Sequence, residues 1–217
     1  MKISPSHSPC AVYAGVIIEG GVCSGKSTLA ASLGDALHWA IIPEYMDWIV
    51  QRGLQAPQVT SGNRFSGFLE VEGQRAASAA ALEGAAVADR SIVTLLAFEL
   101  AQKRLDRPSS WPVVLEAAIA APVILPHRMI SVRCQHRVRT ARWLARGNPA
   151  NSPFLDPVVN DTLNERAERT ASYCPLLILD SDTLSPAETL RKALEFVASS
   201  SPAVRNPSSF WRTQDDD

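Results

Sequence analysis

The sequence has few cysteines, few lysines and almost no excess charge of either sign. Its four cysteines (Cys10, Cys23, Cys134 and Cys174) are widely spaced and form no CxxC pair, which excludes a disulfide scaffold and a structural zinc site. A formal net charge of −1 excludes attachment to nucleic acid or to an anionic membrane through bulk charge. We therefore expect reduced thiols, no nucleic-acid partner and no membrane partner.

Long apolar runs are also lacking. No stretch approaches the length that crosses a bilayer, and residues 1–10 contain no hydrophobic region typical of a signal peptide. These absences predict a soluble, cytoplasmic protein. The expected organisation is an N-terminal leader (1–13), one globular domain (14–199) and a flexible, acid-tipped tail (200–217), because the last stretch is polar and broken by proline.

Apolar, β-branched segments alternate with helical patterns along the whole chain. Strands are predicted at residues 11–20, 40–45, 85–91, 127–134 and 175–182. Helices are predicted at residues 26–39, 63–84, 93–105, 135–147, 158–173 and 185–197. The last of these helices has Ser185 as N-cap, Pro186 at its first position and Glu188 completing a capping box. This alternation predicts one α/β domain with a five-stranded parallel sheet covered on both faces.

The segment "EGGVCSGKST" (19–28) contains the pattern G-x-x-x-x-G-K-[ST] between a predicted strand and a predicted helix. In this context successive backbone N–H groups surround a phosphate, and the helix N-terminus adds favourable dipole charge. Lys26 can then reach the β- and γ-phosphates, and Ser27 offers its hydroxyl to Mg²⁺. The pattern predicts a site for a nucleoside triphosphate. Its residues are Gly20, Gly21, Val22, Cys23, Ser24, Gly25, Lys26, Ser27 and Thr28.

Three segments resemble the deoxynucleoside kinase and thymidylate kinase group. "VIIEGGVCSGKST" is similar to the first strand and phosphate loop of that group, and "ADRS" (88–91) to its acid-arginine motif at the end of the third strand. "RTARWLARGN" (139–148) is similar to its arginine-bearing lid. The resemblance, over roughly residues 14 to 198, implies a P-loop NTPase with a three-layer α/β/α fold and a kinase domain over 14–199. It also implies an ATP- and Mg²⁺-dependent phosphotransferase, with a homodimer as a further expectation.

The same resemblance gives roles to individual charged residues. Asp89 and Ser27 would hold Mg²⁺, and Arg90 would contact the acceptor or the transferred phosphate. Six arginines and no acid lie between residues 128 and 146, and three of them share one helical face, as expected of a lid that closes over ATP: Arg139, Arg142 and Arg146. Two alternatives stay open. The arginine face is otherwise a solvated surface, and Asp89 is otherwise a helix cap.

"IIPEYMDW" (41–48) resembles the kinase segment in which a glutamate takes the proton from the substrate 5′-hydroxyl. Glu44 would be that general base, at the carboxyl end of a strand. Trp48, Phe65 and Phe68 would form apolar walls of the acceptor pocket, unless they pack in the core. The sequence departs from the pattern of these kinases in two ways. Tyr45 replaces the expected proline, and the glutamine that reads the base in nucleoside kinases has no counterpart, because Glu72 lies in that neighbourhood.

Two residues bear on the phosphoryl acceptor and point in opposite directions. Val22 is apolar, as in nucleoside kinases, whereas Arg75 resembles the arginine that grips the substrate phosphate in thymidylate kinases. Transfer to a hydroxyl of a nucleoside-like small molecule is the favoured interpretation. The alternatives are a nucleoside monophosphate kinase of the thymidylate type and a nucleotide switch without a small acceptor. A kinase of nucleic-acid 5′ ends ranks last, because the net charge is only −1.

Overall fold

The computed structural model describes residues 12–57, 64–109, 111–200 and 206–214. The strands are β1 (Val12–Ala14), β2 (Val16–Glu19), β3 (Ala40–Ile42), β4 (Ala86–Asp89), β5 (Ile124–Pro126), β6 (Met129–Arg133) and β7 (Leu176–Asp180). The helices are α1 (Lys26–Leu37), α2 (Tyr45–Gln51), α3 (Arg64–Ala80), α4 (Ile92–Arg104), α5 (Trp111–Ala120), α6 (His136–Ala145), α7 (Pro157–Arg169), α8 (Pro186–Ser199) and α9 (Pro207–Gln214). Two short 3₁₀ helices lie at Pro153–Leu155 and Thr170–Ser172.

Five strands form one parallel sheet in the order β3-β4-β2-β6-β7. β1 and β5 form a second parallel pair, in which Val12 lies opposite Ile124. In the main sheet Ile17 of β2 lies opposite Met129 of β6. Facing residues are therefore 112 positions apart in the sequence in both strand pairs (124 − 12 and 129 − 17), so the register is the same before and after the bend at Gly15. The predicted five-stranded parallel sheet is confirmed, with β2 at its centre.

Side chains alternate along the central strands and so create two apolar layers. Val16 and Ile18 face α1 and α8, where they join Leu33 in one cluster. Ile17 and Leu96 belong to the second cluster, which α3, α4 and α7 cover from the other side of the sheet. A strand with both faces apolar is buried on both faces, as parallel sheets require. The predicted three-layer α/β/α arrangement is therefore confirmed.

The boundaries of several elements differ from the sequence-based expectation. The strand expected over 40–45 ends at Ile42, because Pro43 interrupts it and α2 begins two residues later. Neither α2, α5 nor β5 was expected from the sequence, and the strand expected from residue 127 begins at Met129. The capping box at the start of α8 is confirmed: the Ser185 hydroxyl accepts from the Glu188 amide, and the Glu188 carboxylate accepts from the Ser185 amide.

The two chain ends also differ from expectation where they are described. β1 begins at Val12, within the expected leader 1–13, while residues 1–11 lie outside the described residues. Of the tail expected to be flexible (200–217), residues 207–214 form helix α9. Phe210 and Trp211 are at most 2% exposed, and Phe210 meets Tyr173 edge to face with ring centroids 5.4 Å apart. Burial of two aromatic side chains outweighs the polar, proline-containing composition on which the expectation depended.

No helix in the described ranges is both long enough and apolar enough to cross a bilayer.

Candidate active site

The phosphate loop joins β2 to α1 at the carboxyl edge of the sheet, where crevices of doubly wound folds bind ligands. Gly25 is the N-cap of α1 and has a φ of 97°, a left-handed conformation that glycine adopts without strain. Gly20 lies so close to the carbonyl oxygen of Val132 that a side chain has no room. The hydroxyl-bearing residues Ser27 and Thr28 are exposed in the first turn of α1. The loop thus has the conformation that the sequence motif requires.

Lys26 is a buried cation within this loop. Lys26 is only 6% exposed, and its ammonium group forms no ion pair among the described residues. Burial, followed by the nearby positive charge of Arg90, lowers the pKa of Lys26, while the charges of Asp89 and Glu44 oppose that shift. A buried, unpaired ammonium group at a helix N-terminus is suited to an anionic ligand.

Asp89 ends β4, beside the phosphate loop, because β4 pairs with β2 with Asp89 opposite Ile18. Asp89 is 3% exposed, and its Oδ1 atom has no hydrogen-bond partner among the described residues. An orphaned, buried carboxylate oxygen is costly without a cation or a donor. Asp89 and the exposed hydroxyl of Ser27 therefore supply oxygen atoms of the kind that Mg²⁺ prefers. No group of three or more His, Cys, Asp or Glu side chains suited to a metal occurs in the described ranges.

Arg90 and Glu44 form an ion pair across the ends of β4 and β3. The Nε atom of Arg90 donates to Oε2 of Glu44 over 3.1 Å, and Glu44 is the N-cap residue of α2. Arg90 has a φ of 71°, a left-handed conformation that costs a non-glycine residue about 1–2 kcal/mol. The Glu44 side chain is 24% exposed, so its carboxylate remains accessible to a substrate.

A second hydrogen-bonded group lies behind Arg90 and was not expected from the sequence. The fully buried carboxylate of Glu19 accepts from the amide and hydroxyl of Ser91 over 2.8 and 2.6 Å. It also accepts from the Thr94 hydroxyl over 2.6 Å, and Thr94 in turn accepts from Nη1 of Arg90. Burial raises the pKa of Glu19, and the Arg90 charge opposes that increase. Of the residues in this hydrogen-bonded group, only Ser91 could have been recognised from the sequence, because serine is a preferred N-cap residue.

Arg139, on α6, lies against the phosphate loop. A Cβ atom added to Gly21 would lie 3.1 Å from its Nη1 atom, and Asn160 of α7 contacts the same glycine. Arg139 is 1% exposed, and all three of its guanidinium nitrogens lack a hydrogen-bond partner among the described residues. This burial lowers the pKa of Arg139. A buried guanidinium without hydrogen-bond partners is strongly disfavoured, so this site fits an anion bound beside Gly21.

Arg142 of α6 and Arg146 at its C-terminal end line a cavity of about 260 Å³. Arg142 donates to the carbonyl oxygen of Cys23 over 3.1 Å and to the Ser181 hydroxyl over 3.3 Å. The remaining lining comes from the phosphate loop, α1 and the β7–α8 connection, and includes Thr28. Of the three arginines expected on one helical face, Arg139 is buried at the loop, while Arg142 and Arg146 border the cavity.

Arg75 and Glu72 were expected to contact the acceptor, and the structure corrects that expectation. Both are 0% exposed and form an ion pair of 2.6 Å. Arg75 also donates to the carbonyl oxygens of Pro43, Asp89 and Arg90, over 3.0, 2.9 and 2.9 Å.

Glu72 accepts in addition from the Tyr45 hydroxyl and the Ile124 amide. Burial raises the pKa of Glu72 despite the Arg75 charge. With their polar atoms occupied, these two residues join α3 to β3, β4 and β5.

The aromatic residues expected around the acceptor are divided between core and crevice. Trp48 is 4% exposed, belongs to the apolar core and carries the Arg52 guanidinium 3.9 Å above its ring centroid. The expectation that Trp48 is a pocket wall is therefore replaced by core packing. Phe68 is half-buried and meets Tyr45 edge to face with centroids 6.0 Å apart, and Phe65 is half-buried nearby on α3. These two phenylalanines remain candidates for the pocket.

Asp47 is an acidic residue of this region that sequence reasoning missed. It is exposed in the first turn of α2, one turn after Glu44. Desolvation raises its pKa, and the negative charges of Glu44 and Asp89 raise it further. The acceptor side is therefore acidic, and in the described ranges its two nearest expected cations, Arg75 and Arg90, are already paired with glutamates.

Comparison with known proteins supports this arrangement at the level of fold. The protein-family model described as "AAA domain" matches residues 15–142, which is more than half of the 217 residues. A search of curated protein sequences found no match.

Among solved structures, the chain is similar to deoxyadenosine kinase from M. mycoides. The form with the products dCMP and a flexible dCDP has a TM-score of 0.69 at 16% identity, with 85% of this chain and 98% of that chain covered. The form with dATP has a TM-score of 0.67 at 16% identity, with 85% and 99% covered. The YorR protein of Bacillus subtilis, in complex with phosphorylated GDP, has a TM-score of 0.51 at 17% identity, with 84% and 95% covered. The predicted fold of a P-loop kinase of the deoxynucleoside kinase type is confirmed.

Proposed function

Since the chain belongs to the AAA domain family, we propose that it is an ATP- and Mg²⁺-dependent kinase that phosphorylates a hydroxyl group of a small molecule, most simply a nucleoside or a nucleoside-like metabolite. The observation that carries this proposal is the buried guanidinium of Arg139, which has no hydrogen-bond partner among the described residues and lies against Gly21 of the phosphate loop. Deoxyadenosine kinase from M. mycoides, which shares the fold, binds the nucleotides dCMP, dCDP and dATP.

The nucleoside triphosphate has a continuous set of contacts available. Lys26 and Arg139 are buried cations beside the loop, where phosphate oxygens would replace their missing partners. The base and sugar would extend into the cavity of about 260 Å³ that Arg142 and Arg146 border. Because the cations are already in place, they would stabilise the charge that develops on the transferred phosphoryl group without further reorganisation.

Asp89 and Ser27 fit the position of the metal ion, since Asp89 has an orphaned, buried oxygen and Ser27 an exposed hydroxyl. Bound there, Mg²⁺ would neutralise charge on the β- and γ-phosphate oxygens. Asp89 lies at the end of β4, so a rigid strand determines the position of this carboxylate.

Glu44 is the proposed general base. Its carboxylate accepts the proton of the acceptor hydroxyl while that oxygen forms a bond to the γ-phosphorus. The bond from the γ-phosphorus to the bridging oxygen breaks, and ADP leaves with the bonding electrons. Arg90 pairs with Glu44 over 3.1 Å, which orients the carboxylate. Lys26 and Arg139 stabilise the negative charge of the departing diphosphate.

The placement of Arg75 favours a hydroxyl acceptor over a phosphate acceptor. A monophosphate substrate requires an available cation, yet Arg75 is fully buried and its donors are occupied by Glu72 and by backbone carbonyl groups. Two acids lie on this side, the half-buried Glu44 and the exposed Asp47. An acidic crevice repels a phosphate dianion and accepts a neutral alcohol.

Substrate profiling tests the proposal. ATP and Mg²⁺ are supplied with a panel of nucleosides, nucleoside monophosphates and other alcohols, and products are identified by mass spectrometry. A phosphoryl group on a neutral alcohol is the expected result. Transfer only to a monophosphate would replace the proposal with a thymidylate-type kinase, and release of inorganic phosphate alone would replace it with a nucleotide switch.

Glu44→Gln is expected to lower kcat by about 10²–10⁴-fold, the usual contribution of a general base, while nucleotide affinity stays near the wild-type value. Steady-state kinetics and equilibrium nucleotide binding measure the two quantities. Glu70→Gln is the matched control, because Glu70 is an exposed glutamate on α3. A Glu44→Gln enzyme with wild-type kcat would remove Glu44 from the role of base.

A further inference from the structure

Thr94 lies between two charged groups of the candidate active site. Its hydroxyl oxygen accepts from Nη1 of Arg90 over 3.1 Å and donates to Oε2 of Glu19 over 2.6 Å. From its Nε atom, Arg90 donates to Glu44 over 3.1 Å. The four side chains form one uninterrupted hydrogen-bonded series from the buried Glu19 to the accessible Glu44.

Glu19 provides a fixed end for this series. Its residue is 0% exposed, and its Oε1 atom is held by both the amide and the hydroxyl of Ser91. Ser91 is in turn the N-cap of α4, where its hydroxyl accepts from the Val93 amide. Glu19 ends the central strand β2, so the series begins on the most enclosed part of the sheet.

The backbone of Arg90 is held by hydrogen bonds to Ile18 and Arg75, so the attachment to Thr94 concerns its guanidinium group. Arg90 follows β4 in a left-handed conformation, and a long arginine side chain loses rotamer entropy when it is ordered. Thr94 lies four residues further along the chain, within the first turn of α4, so its hydroxyl meets the guanidinium from the helix. Glu44 alone would hold only one edge of the guanidinium group.

We propose that Thr94 is a positioning residue for phosphoryl transfer: it holds Arg90 in the orientation that directs the Glu44 carboxylate toward the acceptor hydroxyl. The proposal rests on the proposed function, because it gives Glu44 the role of base. In the described part of the chain, the Thr94 hydroxyl forms hydrogen bonds with Arg90 and Glu19. It acts through Arg90, by fixing the guanidinium between Glu19 and Glu44.

Removal of the hydroxyl separates this role from simple packing. Thr94→Val keeps the shape of the side chain, Thr94→Ala removes the hydroxyl without placing a methyl group against Glu19, and Thr94→Ser keeps the hydroxyl. We expect both Val and Ala variants to lose about 10–100-fold in kcat, as small misplacements of reacting groups do, while nucleotide affinity stays within about twofold. Thr94→Ser should remain within about twofold of the wild type in both quantities.

Thr170→Val is the stability control. Thr170 is fully buried, and its hydroxyl donates to the carbonyl oxygen of Ala167 in α7. This variant loses a comparable hydroxyl and should keep wild-type kcat. If Thr170→Val and Thr94→Ala lower kcat equally, or if Thr94→Val and Thr94→Ala both keep wild-type kcat, the positioning role is overturned.

An observation independent of activity completes the test. The Nε–H resonance of Arg90, assigned by its loss in Arg90→Lys, should exchange slowly with solvent in the wild type and in Thr94→Ser, and rapidly in Thr94→Ala. An unchanged exchange rate in Thr94→Ala would overturn the proposal. If the exchange rate rises as expected while the wild-type protein phosphorylates no hydroxyl, the proposed function fails and the link from Thr94 to Arg90 stands.

Discussion

Two arginines beside the candidate active site, Arg75 on α3 and Arg139 on α6, are buried to the same degree, with 0% and 1% of their surfaces exposed. Arg75 has a glutamate and three carbonyl oxygens around it, whereas Arg139 has no hydrogen-bond partner among the described residues. Burial alone therefore does not separate a structural cation from a ligand-binding one. The presence or absence of partners does, because a buried charge without partners is stable only when something else supplies them.

Arg75→Met should have the largest effect on folding. It leaves Glu72 as an unpaired, buried acid, and breaking a buried ion pair typically costs about 3–5 kcal/mol in the free energy of unfolding. The double variant Glu72→Met/Arg75→Met removes both charges and should recover most of that loss. Chemical denaturation measures both. A stable Arg75→Met protein with a raised KM for a phosphorylated acceptor would instead return Arg75 to the substrate site.

Arg139→Met should have the opposite profile. Removing an unpaired, buried charge leaves the free energy of unfolding of the ligand-free protein unchanged or increased, while kcat falls by about 10²–10³-fold through loss of a transition-state contact. Arg137→Met is the control, since Arg137 is an exposed arginine of the same helix whose side chain donates to Gln135. If Arg139→Met destabilises the ligand-free protein as much as Arg75→Met does, the contrast between the two arginines is wrong.

The smallest effect concerns arginines that are partnered but exposed. Arg104 and Arg169 donate to Glu165 over 2.6 and 2.8 Å, and the Arg104 hydrogen bond chiefly lowers the pKa of Glu165 to about 2. Because this pKa lies below its ordinary value of 4.5, the stabilisation is present above about pH 4.5 and is lost as pH falls toward 2. Its size is about 0.5 kcal/mol, since Glu165 is 37% exposed and solvent screens the pair.

Glu165→Gln checks this effect. Free energies of unfolding are measured near neutral pH and near pH 3, and the variant should lose about 0.5 kcal/mol less than the wild type between them. An equal loss in both proteins would mean that the two arginines contribute nothing measurable at the surface.

The sequence predicts the phosphate loop well because local chemistry determines it. The glycines, Lys26 and Ser27 follow a fixed spacing between a strand and a helix, and the structure places them as that spacing requires. The capping box at Ser185 is equally local. In both cases the residues that interact are close neighbours in the chain, so a single sequence contains the whole pattern.

Interactions between distant residues were not predictable in this way. Glu72 and Arg75 are three residues apart, but their burial depends on Tyr45 and Ile124, which lie 27 and 52 residues away from Glu72. The contrast between Arg75 and Arg139 is likewise determined by which segments the fold brings around each guanidinium group. Thr94 gave no signal, because a threonine inside a helix carries no motif and meets Glu19 from 75 residues away.

Helix α9 has a consequence for how the protein is made. It contributes Phe210 and Trp211 to the apolar layer, and Arg166 of α7 donates to the carbonyl oxygen of Gln214 over 2.7 Å. During synthesis the segments that form β2, the phosphate loop and α7 leave the ribosome before these partners exist. That layer therefore stays incomplete until translation has reached Gln214, and a ribosome stalled before Pro207 would hold a chain with an uncovered apolar surface for chaperones to bind.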